Sequence, residues 1–261
     1  MNSGARRLVL WIEYEGTDFN GWQLQPGQRT VQGELEGALA RMCGEEVRLI
    51  AAGRTDSGVH ALGQVAHFCT VSTISPGKFL LGLNTLTGRD VTVVDCREAK
   101  GKFHAQFDAF SKTYCYRILH RRSPSALLRN RTWHLKSLLS VDQMREAAER
   151  LKGEQDFAAF CGAGGSETST VRRIERLEVR EEGEEIRIKI TGNGFLRHMV
   201  RIIVGTLAEV GKGERMADSM TSLLALRDRK QAGYTAPAHG LCLLRVEYGD
   251  KIPPPYEWGD E

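Results

Sequence analysis

One order of elements comes twice in this sequence. LVLWIEYEG alternates like a strand. TVQGELEGALARMCG then sets Val31, Leu35, Ala38, Leu39 and Met42 on one helical face, behind Thr30 as a capping residue. EVRLIAAG and QVAHFCTV read as strands, PGKFLLGLNTL as a short helix and DVTVVDCREA as another strand, which completes β-α-β-β-α-β. A second pass begins with the strand TYCYRILH and the helix VDQMREAAERLKG, where Ser140 and Gln143 have capping-box spacing. Met144, Ala147, Ala148 and Leu151 line one face of that helix, and Gly153 fits a closing cap. TVRRIERLEVR and EEIRIKITG follow as strands joined by the charged turn EEGEE. After them come the helix FLRHMVRIIVGTLAEVG, a shorter helix around ADSMTSLLALR and a last strand, LCLLRVEY. No residue-level repeat accompanies the recurrence, so it rests on element order. It predicts an α+β chain with an N-terminal lobe over 1–110, a C-terminal lobe over 111–250, and a Pro-rich acidic tail over 251–261 that is mobile or strapped on. A length of 261 residues suffices for two modest cores.

Several function classes are disfavoured. No apolar run approaches the length of a membrane span, and MNSGARR leads into an alternating strand instead of the apolar core of a secretion signal. The six cysteines never form a CxxC pair and lack histidines at zinc-site spacing, so no metal is expected; lone thiols in apolar strands fit a reducing, cytoplasmic setting. CGAGGSETST lacks the lysine of a phosphate-binding P-loop, and GNGFLR lacks the third glycine of a dinucleotide fingerprint. No cofactor is expected. His60 and His67 alternate along a strand and read as packed or hydrogen-bonded residues.

A net charge of +3 is too slight to argue for nucleic acid, but its distribution is uneven. Ser111 to Ser140 contains no Asp or Glu, while Lys112, Arg117, Arg121, Arg122, Arg129, Arg131 and Lys136 stand among Tyr114, Tyr116 and Trp133. Cations that neutralise phosphates beside aromatic faces that stack on bases suit RNA; a solvated basic loop is the plainer alternative.

Two stretches carry candidate chemistry. In AGRTDSGVH, Asp-Ser-Gly between two strands is a turn signal, and a catalytic Asp56 needs a cation such as Arg54 and a cleft as well. In GNGFLRHMVRIIVG, Asn193 can cap a helix whose buried face is Phe195, Met199, Ile202, Ile203 and Leu207. Arg197 and Arg201, four apart on the other face, then await an anion, for which a surface carboxylate suffices. Local rules leave Asp56 as either turn residue or reagent.

Taken together, YEGTDFNGWQLQPGQRTVQGELEGAL, AGRTDSGVHALGQVAHF, FHAQFDAFSKTYCYRI, DFAAF, GNGFLRHMVRIIVGTL and PAHGLCLLRVEY resemble the TruA-type tRNA pseudouridine synthases, in the family's order from Leu8 to Tyr248. The resemblance implies two similar βαββαβ-like lobes with mainly antiparallel sheets meeting at a central active-site cleft. It implies isomerisation of uridine to pseudouridine at positions 38, 39 and/or 40 of the tRNA anticodon stem-loop, by a homodimer with the tRNA lying across both subunits. It makes Asp56 the catalytic aspartate, sets Tyr114 on the target base and lays Arg201 against the aspartate. Arg54 and Arg197 are candidates for substrate binding. The basic stretch over 111–140 would touch RNA backbone. Glu15 stands where the family more often has Asp, and Ala159 where DFxSF patterns carry Ser. The alternatives are a non-catalytic tRNA-binding protein of the same fold, and a synthase acting at another RNA site.

Overall fold

The computed structural model describes residues 5–99, 101–164 and 168–255. The chain packs as two compact units, Met1–Phe110 with Leu243–Glu261, and Ser111–Cys242. Both combine helices with mainly antiparallel strands.

In the first unit, β1 (Arg6–Tyr14) pairs antiparallel with β3 (His60–Thr70) on one side and β4 (Val91–Glu98) on the other. The strand β2 (Ile50–Ala51) adds two residues to β3, opposite His67 and Ala66. EVRLIAAG therefore forms far less strand than its pattern predicts. Its polar groups bind helix residues instead: the N–H of Leu49 donates to Glu36 Oε1 at 2.8 Å, and Gln32 Nε2 donates to the Leu49 carbonyl at 3.2 Å.

Helix α1 (Val31–Cys43) starts where expected, with Thr30 Oγ1 accepting from the N–H of Gly33 at 3.2 Å. It ends at Gly44, whose left-handed φ of 71° a side chain would oppose. Val31, Leu35, Ala38 and Leu39 are buried as the spacing predicts, while Met42, the last residue of that face, is half-buried. Helix α2 (Pro76–Leu86) packs against β4 and α1 and sends Phe79 edge-on to Phe68 at 5.5 Å.

The second unit is built on β5 (Ser111–His120), β9 (Glu185–Gly192), β8 (Val171–Glu182) and β7 (Gly153–Asp156), in that antiparallel order, with β6 (Trp133–Leu135) parallel to the other side of β5. EEGEE is the turn between β8 and β9: Glu182 pairs with Glu185 and Gly183 takes a φ of 62°. Helix α3 (Val141–Glu149) is capped by Ser140 and lies on β8 and on α4 (Met199–Gly211); α5 (Ser219–Leu226) follows. Gly153 does not cap α3. Arg150 does, and Gly153, at φ 92°, instead opens β7.

The last strand, β10 (Leu241–Glu247), was assigned by sequence to the second lobe, yet from Leu243 onward the chain belongs to the first unit. There β10 lies beside β3. The N–H of Phe110 donates to Glu247 O at 3.0 Å, and the buried Tyr248 hydroxyl donates to Ala105 O at 2.6 Å. The start of the expected tail is strapped down by Lys251 on Asp108 and by Arg97 on the Pro253 carbonyl, while 256–261 lie outside the described residues.

Candidate active site

Asp56 sits in the connection between β2 and β3. The turn predicted from Asp-Ser-Gly is present: the N–H of Val59 donates to Asp56 O at 3.2 Å, and Gly58 takes a φ of 79°. A second segment, Gly16–Trp22, holds this turn from outside. Trp22 N–H donates to Thr55 O at 3.0 Å, while the Ser57 hydroxyl and Gly58 N–H both donate to Phe19 O, at 3.2 and 3.3 Å. Thr55 Oγ1 and the Tyr14 hydroxyl share a buried hydrogen bond of 2.7 Å, and Gln64 Nε2 donates to Gly53 O at 2.9 Å.

Backbone lies so close to backbone here that two glycines are required. A Cβ on Gly16 would stand 2.1 Å from Val59 O, and one on Gly21 would stand 2.6 Å from Thr55 O. The result is a carboxylate on a backbone fixed from two sides, with Asp56 itself half-buried and Arg54 exposed. Pre-positioning of this kind is what a reacting group needs.

His60 and His67 are packed, as read from the strand pattern. His60 Nδ1 accepts from the N–H of Gly16 at 3.0 Å; that nitrogen carries no proton, so the Glu15 oxygen 3.5 Å away is not its ion-pair partner. His67 Nδ1 accepts from Ala105 N–H at 3.1 Å, and burial, reinforced by the charge of Arg7, lowers its pKa to about 4.

Tyr114, Arg197 and Arg201 belong to the second unit. Tyr114 is buried on β5 opposite Ile190, with the ring of Phe195 edge-on at 5.2 Å. Tyr116, on the same face, donates its hydroxyl to Pro237 O at 2.8 Å. Burial raises its pKa far above the ordinary tyrosine value, against the opposing charge of Arg201. Arg201 Nε donates to the neighbouring Ala236 carbonyl at 2.8 Å, which ties α4 to the loop that receives Tyr116.

The start of α4 differs from its predicted form. Asn193 is not the cap: its Oδ1 accepts from the N–H of Arg173 at 3.0 Å, and its N–H donates to Arg173 O at 3.1 Å. Backbone in the left-handed region at His198, φ 58°, turns the chain into the helix, which begins only at Met199. Phe195 and Arg197 therefore precede α4, and Arg197 and Arg201 are not successive-turn neighbours on it. Arg197 Nη1 donates to Gly164 O at 3.1 Å. Met199, Ile202, Ile203 and Leu207 are buried as predicted.

The acid-free stretch 111–140 is less uniformly cationic in the fold than in sequence. Arg117 makes a two-pronged pair with Glu185, both contacts at 2.8 Å, and Arg121 pairs with Glu184 at 2.6 Å. Both acids come from the β8–β9 hairpin, at and just before the start of β9, which pairs with β5. Arg122, Arg129, Arg131 and Lys136 stay exposed.

A family model described as tRNA pseudouridine synthase matches residues 10–108 and 147–249, which spans most of both units. The chain belongs to this synthase family. It is 45% identical over 243 residues to the tRNA pseudouridine synthase A of Geotalea uraniireducens, a match covering 93% of this chain and 100% of that protein. The protein of the same name from Acetivibrio thermocellus has the same identity and coverage. That of Halalkalibacterium halodurans is 44% identical over 237 residues, 90% of each chain.

Within this synthase family chain, the two departures noted in the sequence have ordinary roles: Glu15 accepts from the Thr17 hydroxyl at 2.5 Å, and Ala159 is fully buried. Sequence reasoning gave no structural task to Tyr14, Gly16, Phe19, Gly21 and Trp22, which hold the Asp56 turn. The paired glycines of EGTDFNG, beside a strand and away from any hairpin signal, were the available clue.

Proposed function

We propose that the protein isomerises uridine to pseudouridine at positions 38, 39 and/or 40 of the tRNA anticodon stem-loop, with Asp56 as the catalytic carboxylate. The observation that carries the proposal is the framing of Asp56: a half-buried carboxylate on a turn locked by Tyr14, Phe19, Gly21 and Trp22, in a chain that belongs to the tRNA pseudouridine synthases. The reaction breaks the bond from ribose C1′ to uracil N1, turns the freed base and joins C1′ to C5. It is neither oxidation nor hydrolysis, so a placed carboxylate and binding energy suffice. Asp56 either attacks C1′ or takes the C2′ proton. Tyr114 stacks on the base after the nucleotide leaves its helix, and its hydroxyl is suited to help remove the C5 proton. Arg201 lies against the carboxylate, and Arg54 and Arg197 bind substrate.

The same proposal places this chemistry in a cleft between two α+β lobes of a homodimer acting on cytoplasmic tRNA. No helix among the described residues is long and apolar enough to cross a membrane. The test is incubation of unmodified tRNA with the protein and with Asp56→Asn, followed by mapping of pseudouridine along the anticodon arm. Product from the parent alone is expected; equal product from both refutes the role of Asp56, and product at another arm refutes the specificity.

A further inference from the structure

Lys112 has been considered only as one of the basic residues of 111–140, and Arg172 has no part in the assignments above. Lys112 stands two residues before Tyr114 on the same face of β5, opposite Gly192, where the Arg173 carbonyl and the Phe195 ring take the space of a side chain. From Gly192 the chain runs through Asn193, fixed to the Arg173 backbone by its two hydrogen bonds, to Gly194 and then to Phe195, whose ring meets Tyr114. At the far side of this loop is Arg172. Its Cδ and Nε lie 3.6 Å from where a Cβ on Gly194 would stand, and its Nη1 donates to the carbonyls of Ser169 and Val171, at 2.9 and 2.7 Å.

Arg117 and Arg121 each have a glutamate, whereas among the described residues neither Lys112 nor Arg172 has a carboxylate within ion-pair distance. Burial lowers the Lys112 ammonium to about 8, and the charge of Arg172 acts in the same direction. Two like charges thus flank the backbone at Gly194, where Arg172 is the only neighbour within 4 Å of an added Cβ, while Gly192 is buried under the Arg173 carbonyl and the Phe195 ring. An anion that reached this backbone would relieve their repulsion. A compact ammonium and a planar guanidinium held by carbonyls together suit a tetrahedral oxyanion.

We propose that Lys112 and Arg172, with the Gly194 backbone beside them, form a subsite for one phosphodiester of the RNA strand next to the nucleotide stacked on Tyr114. The subsite rests on the proposed pseudouridine synthase reading and deepens it. It assigns the grip on the strand to residues that take no part in the bond changes.

The test is equilibrium binding of an unmodified tRNA transcript across a salt series, for the parent, Lys112→Met, Arg172→Met, the double variant and Lys112→Arg. The double variant is expected to bind several-fold more weakly and to flatten the slope of log affinity against log salt by about 0.7–0.9, the value of one phosphate contact. Lys112→Arg is expected to keep the parental slope. Gly194→Ala keeps both charges, and its methyl would make only an ordinary contact with Arg172; it is expected to weaken binding by filling the space of the phosphate. Inorganic phosphate at millimolar concentration is expected to leave the Lys112→Met difference in place, since the strand supplies the phosphate. Parental affinity and slope in the double variant overturn the subsite. Pseudouridine formation is measured in parallel. If the parent forms product and the slopes do not change, the subsite fails alone; if the slopes change and no product forms, the reaction assignment fails and the RNA contact stands.

Discussion

Replacing Gly21 by alanine isolates what holds the Asp56 turn in place. Gly21 has a φ of 79°, and a Cβ there would stand 2.6 Å from Thr55 O, 3.0 Å from the Asp56 carbonyl carbon and 3.1 Å from Ser57 N. The left-handed backbone alone costs alanine about 1–2 kcal/mol. Relief of the contact must push apart the two segments joined by the hydrogen bond from Trp22 N–H to Thr55 O, which adds about 1 kcal/mol. Gly27→Ala is the matched control, with a φ of 70° and nothing within 4 Å of the added carbon. The control should lose only the strain, so the difference between the two variants, about 1 kcal/mol, reports the contact. Urea denaturation measures it. The catalytic effect should be larger: a reacting group misplaced by about an ångström can cost on the order of a hundredfold in rate. Single-turnover pseudouridine formation with enzyme in excess should therefore fall far more in Gly21→Ala than in Gly27→Ala. Equal stability and equal rates in the two variants would refute the argument that close backbone approach positions Asp56.

Two further outcomes follow from buried groups. Tyr116→Phe removes the donor to Pro237 O and should destabilise the second unit by about 1–2 kcal/mol, seen as a lower denaturation midpoint; an unchanged midpoint contradicts it. His67 should make the protein acid-sensitive. Its folded pKa, about 4, lies below the ordinary value of 6.5, so the unfolded chain binds the proton first; stability is complete above pH 6.5 and falls as the pH drops toward 4. His67→Gln should flatten that fall, and the same slope in both proteins would exclude His67 as its source.

Elements whose signals are local were legible in the sequence. Thr30 and Ser140 cap their helices because a side-chain oxygen three residues before a free N–H is geometry the chain carries with it. EEGEE is a hairpin because Gly183 permits the turn that its neighbours require. Readings that depended on distant partners failed. Asn193 has the chemistry of a cap, but Arg173 takes its side chain from the neighbouring strand, and the helix starts five residues later. EVRLIAAG has a strand pattern, yet α1 claims the polar groups of Leu49. The Asp56 turn itself was readable, as a turn. Its framing by Gly16–Trp22 was not, since no local pattern states which segment will lie against a turn some 35 residues away. For the same reason the resemblance to a family carried the proposed role of Asp56 before the geometry did.

The return of β10 to the first unit has a consequence during synthesis. Ser111–Cys242 is continuous and has all its strands before the chain is finished, whereas the first unit lacks β10 until Leu243 and the residues after it leave the ribosome. At about 5–20 residues per second the delay is roughly 7–27 seconds. During that interval β3 waits beside an empty lane, and Ala105 O waits for the Tyr248 hydroxyl. The part translated first is thus the part completed last, and the turn that carries Asp56 belongs to it.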